Sequence, residues 1–350
     1  ARASTRHGPW SGPDIVDHAQ ATHEYVILWP YRGLQPVVMK SEKIGILELE
    51  DDPFAIDVAS RLRDLPVEFL SFADSPAPLS SSYGVVIDRM SFGHAYLKEM
   101  VKNLSLDGTY VINNPFAASV NSKLVEAKAC QALGIPSPKS VVLPDPALRG
   151  EAPGVVAEPN WERVADEIGF PCILKPVYGY GWVDVYELNT LVEMKERYAA
   201  VSGRIWLVQQ KVRYDRYYRV FCIGQRDVLF IRWTPRPLGM GEYFHTDSWD
   251  LGGDFAMVAE QMARLNSCLD MDVNVVEWCV DSNGQGWVID ALNEVPDMPK
   301  ERMPPEHYWW IVDRCVACVR DRLHDDQRNK TVFDIPVPQS IAHGGGVQVS

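Results

Sequence analysis

Three oxygen-bearing side chains, Glu277, Asp290 and Asn293, stand out from an otherwise apolar stretch, NVVEWCVDSNGQGWVIDALNEVPDM at residues 274–298. The stretch reads as two short strands joined by an Asp281-Ser282-Asn283-Gly284 turn. Two carboxylates and an amide oxygen on one hairpin suit a hard cation such as Mg²⁺, which takes oxygen ligands and commonly arrives with phosphates. A phosphate cradle has one candidate, Phe170-Pro-Cys-Ile-Leu-Lys175-Pro-Val-Tyr-Gly179-Tyr-Gly181. A lysine closing an apolar strand is costly unless its ammonium finds a partner, and the glycines open backbone N–H groups beside it. The same residues also read as a snorkelling lysine followed by a hairpin turn. Arg213, Asp215, Arg216 and Arg219 form a second charged group, with Arg232 on the next strand run. On neighbouring strands, Arg219 and Arg232 could clamp one anion with forked hydrogen bonds. The alternative is an exposed strand face laced with weak ion pairs.

The elements that would position these residues divide into two patterns. From Lys43, strand runs (Lys43–Leu49, Val67–Phe72, Gly84–Asp88, Thr109–Asn113) alternate with helical ones (Pro53–Leu62, Phe92–Leu104), which argues for a small parallel α/β domain. An amphipathic helix, Val120–Leu133, stops at Gly134, and Ser140–Leu143 is a strand before a proline-rich loop at 144–160. Beyond it, helices at Trp161–Ile168, Thr190–Ala200, Phe255–Leu269 and His307–Leu323 are interspersed with strand runs. Those runs are Cys172–Val177, Val183–Glu187, Ile205–Gln210, Tyr217–Ile223 and Val228–Thr234, a pattern that argues for α+β with a largely antiparallel sheet. Residues 1–41 form an arm with one short strand, Tyr25–Leu28, and the tail from 331 is expected to be mobile.

Composition bounds the function. A net charge of −13 speaks against a general nucleic-acid binder, whose affinity comes from cations on phosphates, but not against a small polyanion held by local lysines and arginines. No 18-residue apolar run indicates a transmembrane helix and no signal segment is visible, so neither membrane nor secretion is expected. Seven cysteines embedded in apolar runs read as reduced thiols of a cytoplasmic protein, and Cys315-Val-Ala-Cys318 reads as core on a helix rather than a metal pair. No GxxxxGK[ST] or GxGxxG motif and no Ser/His/Asp set occurs; His94, His245 and His307 are isolated.

The order of these segments resembles the ATP-grasp superfamily, and within it the glutathione-synthetase and RimK-type carboxylate–amine ligases. The resemblance covers about residues 43–323 and is carried by Val111-Ile-Asn-Asn-Pro115, Lys123, Leu133-Gly-Ile-Pro-Ser-Pro138, Phe170–Pro176, Val208-Gln-Gln-Lys-Val212, Tyr218–Gly224 and the 274–298 hairpin. It implies a front α/β domain at 42–115 and an ATP-grasp domain at 116–330, with a lid lobe at about 140–212, a C-terminal lobe at about 213–330 and ATP between them. It further implies that Lys123 and Lys175 hold ATP phosphates beneath a lid containing Gly179 and Gly181. Gln209, Gln210, Lys211 and Val212 would form the strand that pairs with adenine, with Asp215 toward the ribose. Arg219 and Arg232 would face the γ-phosphate and acyl phosphate, and Glu277, Asp290 and Asn293 would bind Mg²⁺, with Mn²⁺ able to substitute. Arg89, Arg302 and His307 would border the substrates.

The hairpin departs from the family ending Glu-x-Asn: Asp290-Ala-Leu-Asn293 is one residue longer, so strict alternation puts Asp290 and Asn293 on opposite faces. A bulge or the strand end must re-aim one of them; Ala291 stands at the usual Glu position, and Glu294 is a reserve ligand. The implied activity is an ATP- and Mg²⁺-dependent ligase acting on a carboxylate and an amine, with an amino acid or peptide among them, as monomer or homodimer. Alternatives are a kinase on the same fold and a non-catalytic nucleotide-binding module.

Overall fold

The computed structural model describes residues 41–72, 81–118, 122–148, 158–179, 181–201, 203–236, 241–245, 255–325 and 329–330. The expected N-terminal arm with its Tyr25–Leu28 strand (all but residue 41), the middle of the proline-rich loop and the C-terminal tail lie outside the described residues.

Short apolar runs separated by amphipathic helices build the first sheet. Strands β1 (Ile44–Leu47), β2 (Val67–Phe69), β3 (Val85–Asp88) and β4 (Tyr110–Ile112) pair in parallel in the order β2-β1-β3-β4. The connections are helices α1 (Pro53–Arg61) and α2 (Ala95–Leu106), as a parallel pair requires a crossover. Asp52 starts α1 by accepting the Ala55 N–H at 2.7 Å, with Pro53 at the first helical position. A 3₁₀ turn at Ser91–Gly93 occupies the start of the expected Phe92–Leu104 helix.

After a short helix α3 (Pro115–Ala118), helix α4 (Lys123–Leu133) ends on Gly134, whose φ of 68° is the left-handed cap that glycine takes without steric cost. Strands β5 (Ser140–Leu143), β6 (Cys172–Pro176), β7 (Tyr186–Leu188) and β8 (Trp206–Gln210) form an antiparallel sheet ordered β5-β8-β6-β7. Helices α5 (Trp161–Ile168) and α6 (Leu191–Ala199) cover it, burying Trp161, Val164, Met194 and Tyr198 against Leu174, Trp206 and Val208. The expected strand Val183–Glu187 is a turn at its start: Gly181, Trp182 and Asp184 all have φ near +60° (64°, 62° and 58°), which an extended chain cannot accommodate.

The third sheet holds β9 (Arg216–Ile223), β10 (Asp227–Thr234), β11 (Glu242–Phe244), β12 (Val273–Val280) and β13 (Gly286–Asp290), antiparallel and ordered β11-β10-β9-β12-β13. Strict alternation along β9 and β12 gives it two apolar faces. Tyr217, Phe221, Val275 and Cys279 face the long helix α8 (Pro305–His324), whose other neighbours include α1, β3 and β10. Tyr218, Val220, Val276 and Trp278 face α4 and helix α7 (Phe255–Cys268). Cys315 and Cys318 are buried free thiols of α8, as a core reading requires. No helix among the described residues is long and apolar enough to cross a membrane.

Candidate functional site

Two antiparallel sheets meet α4 around a cleft with about 1510 Å³ of open space. Of the residues singled out in the sequence, Lys123, Lys175, Gly179, Gly181, Gln209, Gln210, Lys211, Val212, Glu277, Asp290 and Asn293 line it. Asp215 does not; it is exposed, with its N–H bonded to Val280 O at 2.9 Å.

The oxygen set depends on a bulge. Glu277 pairs with Asp290 while Trp278 pairs with Val288, so Ile289 is the extra residue on β13. The bulge brings Asp290 to the face of Glu277. It precedes Asp290, so the one-residue excess between Asp290 and Asn293 falls beyond the strand end, which is where the chain is free to re-aim Asn293. Asn293, beyond the strand end, donates its amide N–H to Val275 O at 2.8 Å, which leaves Oδ1 to face the cleft. Its own N–H is held by Asn274 Oδ1 at 2.7 Å, and Asn274 also donates to Ala291 O at 2.8 Å. Glu294, the reserve ligand, is engaged elsewhere by Lys98 at 2.8 Å. Ala291 is buried and lines nothing in the cleft.

The lysines are balanced unequally. Lys123 Nζ donates to Asp290 Oδ2 at 2.9 Å; burial works against its charge, but Asp290 and Glu126 outweigh burial and raise its pKa. Lys175, 7% exposed, has no ion pair among the described residues, and burial followed by the nearby Lys123 charge lowers its pKa. A buried ammonium with carboxylates near it but none within ion-pair distance is a strong point of attraction for an anion. Burial and Asp290 raise the pKa of Glu277 in spite of Arg219 and of the Tyr217 hydroxyl, which donates to it at 2.6 Å. For Asp290, burial is outweighed by Lys123 and Lys175, and its pKa falls. The carboxylates, the orphaned buried Asp290 Oδ1 and the Asn293 oxygen fit a hard divalent cation.

Glu126, one turn along α4 from Lys123, was not singled out by the sequence, although the i, i+3 spacing on a helix face could have revealed it. It is 4% exposed, and burial together with Asp290 pushes its carboxyl up to about 8. Glu126 Oε1 and Asp290 Oδ1 are both buried without a hydrogen-bond partner among the described residues. Tyr217 was also missed, although it alternates with Arg219 on the same face of β9.

The expected arginine clamp is not formed. In the β9–β10 ladder Arg219 lies opposite Ile231, whereas Arg232 lies opposite Tyr218, so the two arginines point to opposite faces of the sheet. Arg219 shares the face of Glu277, its ladder partner on β12; it is buried, donates to Tyr243 Oη and stacks on Trp233 at 5.3 Å. Arg232 is exposed. Arg89 lines a second cavity with Asn113 and Glu294, lying 4.7 Å over the Phe54 ring. Arg302 pairs with Asp297 at 3.0 Å, and His307 stacks on His245, whose Nδ1 is 2.6 Å from Glu306 Oε1. Neither Arg302 nor His307 lines the cleft.

No known protein-family description matches the sequence, and no curated protein matches it. Solved structures do. The ATP-grasp ligase PsnB, complexed with precursor peptide PsnA2 and AMPPNP, superposes with a TM-score of 0.57 at 16% identity, covering 80% of this chain and 98% of PsnB. The chain has the ATP-grasp fold. A RimK-domain ATP-grasp protein from Sphaerobacter thermophilus DSM 20745 gives a TM-score of 0.54 at 17% identity, over 79% of this chain and 99% of that one. D-alanine–D-alanine ligase from Bacillus anthracis, complexed with ATP, gives 0.57 at 13% identity, over 81% and 98%. At these identities the likeness is one of ATP-grasp fold, with a RimK-like resemblance among the relatives.

Proposed function

We propose that the protein is an ATP- and Mg²⁺-dependent ligase that joins a carboxylate to an amine through an acyl phosphate. The observation that carries this reading is the convergence in one cleft of Lys123, unpaired Lys175 and the oxygens of Glu277, Asp290 and Asn293, contributed by separate stretches of the chain. In this reading ATP phosphates lie toward the two lysines beneath Gly179 and Gly181, and adenine lies along the Gln209–Val212 backbone, with Gln210 and Val212 as the contact positions. The front domain is 42–115; the lid lobe (about 140–212) and the C-terminal lobe (about 213–330) enclose ATP. A cytoplasmic setting fits the free thiols.

The substrate carboxylate oxygen attacks the γ-phosphorus, the bond to the β-phosphate oxygen breaks, and ADP leaves. The amine nitrogen then attacks the acyl carbon, the C–O bond to phosphate breaks, and phosphate leaves while the amine proton passes to solvent. A bound divalent cation would neutralise charge on the β- and γ-oxygens. Lys123 and Lys175 hold and orient the phosphates, and Arg219, on the Glu277 face, stabilises the charge of the transferred group. Glu277, Asp290 and Asn293 supply the cation's oxygens. An amino acid or peptide is the favoured substrate class, since PsnB carries a precursor peptide beside its nucleotide analogue.

Hydroxylamine trapping tests the reading. With ATP, Mg²⁺ and a carboxylate panel, a hydroxamate and equal amounts of ADP and phosphate are expected. ADP accompanied by a phosphorylated product and no free phosphate would make the protein a kinase. No ADP across the panel would leave a binding module.

A further inference from the structure

Strand β13 is the edge of its sheet, so no ladder on its far side holds the chain past Asp290. Three side chains from elsewhere hold it instead. Asn274 takes Ala291 O and Asn293 N–H from one side. From the other side the first turn of α4 reaches in: Lys123 Nζ to Asp290 Oδ2 at 2.9 Å, and Glu126 Oε2 to the Ala291 N–H at 2.9 Å. Ala291 is 1% exposed, so its N–H has no water as an alternative partner. Glu126 does not line the cleft; it holds the backbone of the residue that follows Asp290.

We infer that Glu126 is a positioning residue: through the Ala291 N–H it fixes the end of the bulged strand and so aims the Asp290 carboxylate into the cleft. This rests on the cation-binding role proposed for Asp290. Glu126 touches neither cation nor nucleotide, so its effect belongs to the metal-dependent part of nucleotide affinity alone. Groups that orient a metal ligand typically change metal affinity by about 10–100-fold.

The test is calorimetric binding of a non-hydrolysable ATP analogue with Mn²⁺ and without metal, alongside thermal unfolding. Glutamine keeps the observed contact, its amide oxygen accepting the Ala291 N–H. Glu126→Gln is therefore expected to keep the Mn²⁺-dependent gain within about 3-fold, and Glu126→Ala to lose about 10-fold or more of it with metal-free affinity unchanged. Glu126→Met, which fills the space without accepting a hydrogen bond, is expected to behave like Glu126→Ala and replaces it should that variant not fold. An unchanged gain in the alanine or methionine variant overturns the inference, as does a glutamine variant that loses as much as they do. A wild-type protein with no Mn²⁺-dependent gain would overturn the metal reading of Asp290 itself, a result distinct from either.

Discussion

Glu277→Gln separates the role of this carboxylate in chemistry from its role in folding. The side chain is held by the Tyr217 hydroxyl at 2.6 Å, a bond that the glutamine carbonyl can accept, so the local geometry survives. What disappears is one of the two carboxylates that Asp290 and Glu277 bring to the same face. Losing one preorganised electrostatic contact at a phosphoryl-transfer site costs about 100-fold in kcat, or about 2.7 kcal/mol. Stability is expected to move the other way. Burial and the Asp290 charge raise the folded pKa of Glu277 above its ordinary 4.5, outweighing Arg219. The folded state therefore binds the proton more tightly than the unfolded one. That contribution is complete below 4.5 and is lost as pH rises through the raised folded value. Glutamine does not titrate, so the nucleotide-free variant should unfold at a higher temperature than wild type at neutral pH, and the difference should shrink as pH falls. Steady-state ADP release and thermal unfolding across pH measure the two arms. Undiminished turnover would remove Glu277 from the metal set, and a variant less stable at neutral pH would refute the charge balance.

The opposite-face placement of the two arginines predicts unequal effects: Arg219→Ala should lower kcat about 100-fold or more, while Arg232→Ala should change it less than about 3-fold, read in the same ADP assay. Lys175 is depressed below its ordinary 10.5 in the free protein, and a bound phosphate restores its proton. Nucleotide binding between the depressed value and 10.5 should therefore take up protons, seen as a calorimetric enthalpy that varies with the ionisation heat of the buffer and is lost in Lys175→Met. Buried Asp272 receives Arg322 through two bonds, 2.6 and 3.1 Å, and the Tyr110 hydroxyl at 2.7 Å, tying α8 and the front sheet to the start of β12. Asp272→Ala, which takes from Arg322 the carboxylate that accepts two of its hydrogen bonds, should cost about 3–5 kcal/mol by chemical denaturation, because a largely buried charge loses its closest counter-charge.

What the sequence revealed and concealed follows from the range of each interaction. The parallel front sheet was legible because apolar runs and helical periodicity are local, and Gly134 marked the end of α4 by a local steric rule. Lys175 was legible for the same reason: an ammionium at the end of an apolar strand is anomalous wherever it folds. The four-residue string Asp290–Asn293 showed that a bulge or the strand end must re-aim one ligand, but not the bulge at Ile289 ahead of that string, which the pairing with β12 decides. The arginine clamp failed on a similar point. Strand neighbours can be guessed from sequence, but whether two side chains share a face depends on a register that a single residue reverses. Glu126 was hidden because its partners, Asp290 and Ala291, lie more than 160 residues away, at |i−j| = 165 for Ala291. The left-handed turn at Trp182 and Asp184 was hidden because apolar and acidic side chains seldom take positive φ.

The bulge at Ile289 has a consequence for how this site can change. Between Val288 and Asp290 the number of residues decides whether a bulge is needed at all. Ile289 could be exchanged for another apolar side chain with modest effect, since it contributes cleft wall and no hydrogen-bonding side chain. With Ile289 retained, a straightened strand would set Ile289 opposite Glu277 and turn Asp290 toward the face of Trp278 and Val288, where a carboxylate would meet only apolar neighbours. Deleting Ile289 would instead place Asp290 directly after Val288, still on the Glu277 face by plain alternation. The hairpin can therefore bring its two carboxylates together either through a bulge or with one residue fewer, so that this point is open to variation in length as well as in side-chain size.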